Sequence, residues 1–297
     1  MKKKVLSLVF ATVLAFGLVG CGNKDAASET KTEAPEVTPA SVATDSSVAD
    51  DATTSEAIDL TGVKLISDGV LSVGADVAYP PFEDFAEDGT TPIGFDVDII
   101  TAVADKLGLK VNIINTAWDG IFAGIGVNYD VACSAITITP ERQETMLFST
   151  PYINNYQSVV LRADDDTEIA SFNDLEGKTI AVQKETTSDI LMSDYKSTGT
   201  INVQIVANEK ITSCFTQLLN GEVDAVVVDS TVADGFLNSS DDYKIVYKDT
   251  AEAEQFGIAI SVDNPELQKA INEALAELEA EGYIQETYDY WFGTVAE

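Results

Sequence analysis

The chain has no histidine, and only three cysteines, two tryptophans and two arginines among its 297 residues. Without an imidazole, zinc sites of the usual kind, Ser-His-Asp triads and Cys-His dyads are excluded, and with them most enzyme classes. Basic residues are scarce as well, 17 against 50 acidic ones, for a formal net charge of −33. So acidic a surface repels nucleic acid and anionic membranes, and neither is expected as a partner. Cysteine usage is too thin for a disulfide framework. Cys133 falls in a strand and Cys214 in a helical stretch; a bridge between them is open to an oxidising compartment, and two buried free thiols are favoured.

What is present begins with targeting. Lys2, Lys3 and Lys4 precede a weakly polar to apolar run over residues 5–20, the shape of a secretory signal. The run is shorter than the ~20 residues a membrane span needs. It ends Leu18-Val19-Gly20-Cys21, similar to a bacterial lipobox, which implies lipidation of Cys21 and an extracytoplasmic protein anchored to the cell membrane. Each buried methylene contributes about 0.8 kcal/mol, so two acyl chains hold where one is marginal. The segment 21–60, rich in Ala, Ser, Thr, Asp, Glu and Pro and free of aromatics, reads as a disordered linker carrying that cysteine.

Residues 61–297 alternate strand and helix patterns. Strands are expected at 70–74, 110–114, 130–134, 158–161, 179–182, 202–206, 223–228, 244–247 and 257–261, and helices at 95–107, 120–125, 188–196, 211–219, 232–237 and 265–281. This α/β alternation implies parallel sheets with right-handed crossovers, and ligands beyond the carboxyl ends of the strands. Two successive runs give two lobes, the second inserted into the first. Lobe one takes 61–154 plus 256–297 and lobe two 155–255, with short crossings near 152–157 and 253–256 suited to a hinge.

One stretch carries more chemistry than the rest. An apolar strand opens into the hydroxyl residues Ser134, Thr137 and Thr139, and Pro140 then starts a helix with Thr139 as its N-cap and Arg142 in the first turn. A guanidinium there opposes the helix dipole, so something else must stabilise it. A bound carboxylate would; so would surface pairing with Glu141 or Glu144. The first option points to a receptor for a free amino acid.

The ordered set of motifs matches that idea. It runs through Gly74-Ala75-Asp76 with Tyr79-Pro80-Pro81-Phe82-Glu83, Gly94-Phe95-Asp96-Val97-Asp98, Trp118-Asp119-Gly120 and Ile136-Thr137-Ile138-Thr139-Pro140-Glu141-Arg142. It continues through Phe148-Ser149, Pro151-Tyr152, Gly177-Lys178, Ala181-Val182, Asp224-Ala225-Val226 with Asp229, and Tyr290-Trp291-Phe292-Gly293. Over residues 71–297 the chain resembles the amino-acid class, family 3, of extracellular solute-binding proteins, the receptor subunits of bacterial ABC importers. The resemblance implies a two-lobe periplasmic-binding-protein-like type II fold, lobe two inserted into lobe one, with a two-strand hinge.

It also implies roles. Arg142 would take the ligand's α-carboxylate as a bidentate pair, with backbone N–H groups near Thr137 and Thr187 completing the cradle. Asp229 would accept the α-ammonium, helped by the Thr137 hydroxyl and the carbonyl of Ser134 or Ala135; as a residue read alone, it could equally cap the next helix. Tyr79 and Trp118 would wall the side-chain pocket or be ordinary core aromatics. Asp76 would meet the side chain's far end, and Gln183 and Glu185 would approach from the opposing lobe. The family often has glycine where Glu185 stands, so Glu185 is expected to be exposed and without a role.

The expected function is capture of a free amino acid, most simply a cationic one (arginine, lysine, ornithine or histidine), for a membrane permease and its ATPase. Glutamine, cystine or another polar amino acid is the alternative. The protein is expected to be a monomer without cofactor, metal or catalytic residue; a dehydratase-type enzyme on the same scaffold is the remote rival.

Overall fold

The computed structural model describes residues 57–293. The signal segment 1–20, Cys21 and the linker up to residue 56 lie outside the described residues.

The chain enters through β1 (Val70–Ala75), turns through the short hairpin of β2 (Asp84–Phe85) and β3 (Pro92–Ile93), and runs into α1 (Phe95–Lys106). Asp96 and Asp98 in the first turn and Lys106 in the last suit the helix dipole, and Ile99, Ile100 and Val103 form its buried face. Next come β4 (Lys110–Asn115), 3-10 turns at Trp118–Gly120 and Phe122–Gly124, β5 (Val131–Ala132), α2 (Pro140–Gln143) and β6 (Leu147–Phe148). The short helix expected at 120–125 is thus a pair of tighter turns, each ending at a glycine, a residue that weakens an α-helix. After β7 (Ile153–Asn155) the second sheet is built from β8 (Gln157–Arg162), β9 (Thr179–Gln183), α3 (Thr187–Ser197) and β10 (Gln204–Asn208). It is completed by α4 (Ile211–Leu219), β11 (Ala225–Asp229), α5 (Ser230–Ser239) and β12 (Tyr243–Lys248). The chain returns through β13 (Glu254–Phe256) to β14 (Ala259–Ile260), α6 (Pro265–Ala280) and α7 (Tyr283–Phe292).

Two five-stranded sheets result, ordered β4-β1-β5-β14-β6 and β10-β9-β11-β8-β12. Neither is wholly parallel, which corrects the expectation from helix–strand alternation. β14 is antiparallel to β5 and β6, and β8 is antiparallel to β11 and β12. β8 and β14 are the strands that enter their sheets directly from the connecting strands, after one and two residues. The connecting strands pair with each other, Asn155 opposite Glu254 and Ile153 opposite Phe256.

In the second sheet alternate residues feed opposite faces. Val159, Leu161, Ile180, Val182 and Val227 join one apolar cluster, while Val160, Ala181, Val226 and Val228 join another. Such near-continuous Val and Ile runs are what a sheet covered on both faces requires. In the first sheet Phe82 packs edge-on or tilted against Phe95, Phe256 and Phe292 with ring centroids 5.8, 5.5 and 5.4 Å away, so the returning strand is anchored in the core. Cys133 and Cys214 are free and buried.

Gly74 in β1 is fixed by space. A Cβ there would lie 2.4 Å from Cζ of the buried Tyr129 ring. Gly74→Ala is expected to destabilise by about 1–3 kcal/mol through overpacking, seen as a lower urea midpoint at unchanged slope; wild-type stability would mean the Tyr129 ring gives way freely.

Candidate ligand-binding site

Four strand ends converge. Asp76 follows β1, Ser134 and Ala135 follow β5, Gln183 ends β9 just before α3, and Asp229 ends β11. These are carboxyl ends of parallel strands, where α/β sheets place ligands. Together with Tyr79, Trp118, Thr137, Arg142, Thr186 and Thr187 they line one narrow cavity. All ten side chains selected from the sequence therefore meet in one place; Thr186 is an addition.

Arg142 lies on α2, whose first turn is capped as expected: the Thr139 hydroxyl oxygen accepts from the Arg142 N–H at 3.2 Å. The guanidinium turns back, and its Nη1 donates to the Thr137 carbonyl at 2.8 Å. Its carbon sits 5.4 Å from the Trp118 ring centroid and 5.1 Å from that of Phe122, a cation–π contact with each of two rings that meet edge to face. Trp118 thus supports the arginine as well as lining the cavity. Among the described residues Arg142 forms no ion pair, so the pairing with Glu141 or Glu144 does not occur. Burial lowers its pKa, against the opposing charges of Glu254 and Asp229.

Asp229 faces it as a buried carboxyl, 4% exposed. Its side chain does not cap α5. Instead Oδ2 accepts from the Tyr79 hydroxyl, and Oδ1 accepts from Asn155 Nδ2 at 2.6 Å and Gln157 Nε2 at 2.8 Å. Burial, and then the charge of Glu254, push its pKa up to about 7. Glu254 was not foreseen. Its Oε2 accepts from the Thr137 hydroxyl at 2.9 Å and the Thr187 hydroxyl at 3.3 Å. The Thr137 hydroxyl, expected to help hold an ammonium, is here directed to Glu254, because the β13 backbone runs beside Thr137. Asn155 and Gln157 also escaped notice; the one signal was a polar Asn-Asn-Tyr-Gln run inside an apolar strand pattern.

At the other end Gln183 Nε2 donates to Asp76 Oδ2 at 2.9 Å and to the Glu209 carbonyl at 3.1 Å. Gln183 Oε1 is buried and accepts from no described residue. Burial raises the Asp76 pKa, opposed first by Gln183 and then by Lys210. Behind it, the Ser134 hydroxyl accepts from the Asp76 N–H at 3.1 Å and donates to Glu83 Oε1 at 2.5 Å. Glu83 is fully buried, and burial with the neighbouring Asp96 holds its pKa well above the carboxylate range. Ala135 has a left-handed φ of 46°, held by its N–H donating to Asp96 Oδ2 at 2.6 Å. Thr187 opens α3, whose N-cap is Thr186. Glu185 is exposed, pairs with Lys184 at 3.1 Å and has a φ of 62°, a conformation that favours the glycine implied by the resemblance.

The sequence pattern of the bacterial extracellular solute-binding proteins, family 3, matches residues 71–294. The chain belongs to that family. Among relatives of this family 3 protein, ABC transporter arginine-binding protein 1 of Escherichia coli strain K12 is 30% identical over 75% of this chain and 90% of that protein. The L-cystine-binding protein TcyJ of the same strain is also 30% identical, over 76% of this chain and 83% of that protein. The crystal structure of a mutant of ArgBP from T. maritima superposes with a TM-score of 0.70 at 36% identity, over 76% of this chain and 96% of that one. The architecture is therefore the type II periplasmic-binding-protein fold, in an extracellular family.

Glu83 gives a pH prediction. An unfolded chain loses this proton near pH 4.5, whereas the folded chain keeps it. The group's contribution to stability therefore falls as pH rises above that value. Glu83→Gln, which keeps the shape and never ionises, should gain melting temperature relative to wild type between pH 5 and pH 8; parallel curves would mean that Glu83 is ionised in the fold.

Proposed function

We propose that this protein captures a free amino acid outside the cell and delivers it to an importer's permease and ATPase. One observation carries the reading: the Arg142 guanidinium, free of ion pairs among the described residues, shares a buried cavity with the Asp229 carboxyl. A zwitterion supplies the opposite charge to each, which is how charge is tolerated away from water. Charge-assisted bonds contribute roughly 1.5–3 kcal/mol each, so a few reach the ~8 kcal/mol of a micromolar ligand.

The far end favours a cationic side chain. Asp76 and Gln183 Oε1 are acceptors there, suited to a guanidinium or ammonium group. Arginine, lysine, ornithine and histidine fit this end. The similarity to a cystine-binding protein keeps cystine and glutamine as the second reading. Thr137, Ser134, Ala135 and Thr187 complete the cradle around the ligand's backbone, Tyr79 and Trp118 its walls.

The two lobes, 61–154 plus 256–297 and 155–255, close over the ligand about the connecting strands. Closure is supported by bonds that already span the sheets, from Tyr79 to Asp229 and from Gln183 to Asp76. A ligand touching both lobes stabilises the closed population by its differential affinity. No bond of the ligand is made or broken, no cofactor takes part, and the protein works as a monomer tethered by lipidated Cys21.

A melting-temperature screen tests this. Basic amino acids should raise the midpoint more than glutamine or cystine, Asp76→Asn should erase that preference, and Arg142→Ala should abolish every shift while leaving the protein folded. Full ligand response in Arg142→Ala would remove Arg142 from the site. Cys21→Ala should move the full chain from the membrane fraction to the soluble one; unchanged membrane association would mean that the tether lies elsewhere.

A further inference from the structure

The cavity region holds one more carboxylate than a zwitterion's ammonium needs. Asp229 ends β11 and Glu254 opens β13, and the same two amides join them. Asn155 Nδ2 donates to Asp229 Oδ1 at 2.6 Å and to Glu254 Oε2 at 3.3 Å. Gln157 Nε2 donates to Asp229 Oδ1 at 2.8 Å and to Glu254 Oε1 at 3.1 Å. Carboxyl groups sharing two donors are close enough for like charge to oppose a second ionisation. Among the described residues neither forms an ion pair.

The surrounding charges do not relieve this. Tyr79 gives its hydroxyl to Asp229, while Thr137 and Thr187 give theirs to Glu254. Arg142 acts on both acids through its field alone and stays bonded to the Thr137 carbonyl. On the outer side, the cleft that Glu254 borders is lined by Asp194, Asp249 and Glu252, which add negative potential, and by the neutral Tyr195.

We propose that Asp229 and Glu254 hold one proton between them and that an amino acid's ammonium group replaces it on binding. The inference rests on the amino-acid reading above and names a further residue of its ammonium subsite. The carboxyl O–H bond breaks and its proton passes to solvent. The ammonium keeps all three of its protons, and its positive charge offsets the second negative charge that appears on the pair. Glu254 acts as a positioning residue: through repulsion it keeps Asp229 protonated when no cation is near. The raised pKa of Asp229, for which Glu254 is the second cause after burial, agrees with this. The sign follows from linkage. Binding releases a proton wherever the pair holds one, so affinity increases with pH up to about 7 and levels off above it.

Two measurements on the intact protein decide the matter. In the ligand-free protein, carboxyl-carbon NMR should show Asp229 titrating near neutrality, and Glu254→Gln should move that titration to lower pH. Calorimetry with L-arginine in phosphate and in imidazole near pH 6 should show release of about one proton per ligand, with affinity rising about tenfold per pH unit below neutrality. Asp229→Asn and Glu254→Gln should each suppress the release. An Asp229 titration that ignores Glu254→Gln would overturn the proposal, as would arginine binding without proton release. Absence of heat from L-arginine and the rest of the amino-acid panel would count against the amino-acid reading alone, and the carboxyl titration would still decide the pair.

Discussion

The polar network around Asp229 and Glu254 takes its position from the pairing of β7 with β13. Three residue pairs set the register of two strands that arrive from distant parts of the chain. That register puts Asn155 opposite Glu254 and drives Phe256 into the core of the first sheet. A slip by one residue would turn the Asn155 and Glu254 side chains to the other face and dismantle the amide bridge to Asp229. The connection is thus both the mechanical link between the sheets and part of the wall of the site.

Charge is the second constraint. The cavity holds Asp76 and Asp229, with Glu83 just behind and the half-buried Glu254 beside it, against the single guanidinium of Arg142. Gathering that many carboxyls, three of them buried, is tolerable only if some keep their protons and the others are well supplied with donors. Both devices are visible: Glu83 and Asp229 are pushed upward, and tyrosine, threonine, asparagine and glutamine side chains supply the bonds. The arginine is held by aromatic faces and a carbonyl instead of by an acid, which leaves its remaining guanidinium N–H groups uncommitted among the described residues.

Where the sequence was readable, the cause was local. Thr139 before Pro140 announces a helix start within one turn, and Arg142 is placed by that start. Asp229 stands at the end of a Val-rich run, so its position at a strand's carboxyl end follows from pattern alone. Glu254 could not be found this way, because its neighbours Thr137, Asn155 and Thr187 are brought to it by pairing over long sequence separations. The direction of β8 and β14 escaped for a similar reason: periodicity marks strands and helices but says nothing of which way a strand runs. Phe122, half of the aromatic support under Arg142, sits in a 3-10 turn whose spacing does not match the helical period used to read it.

The cavity's walls mix hydroxyls, amides and acids with the rings of Tyr79 and Trp118. Parting the polar stretches would bare groups that water can solvate at once, so the cost of opening there falls on the aromatic faces and not on the hydroxyls, amides and acids.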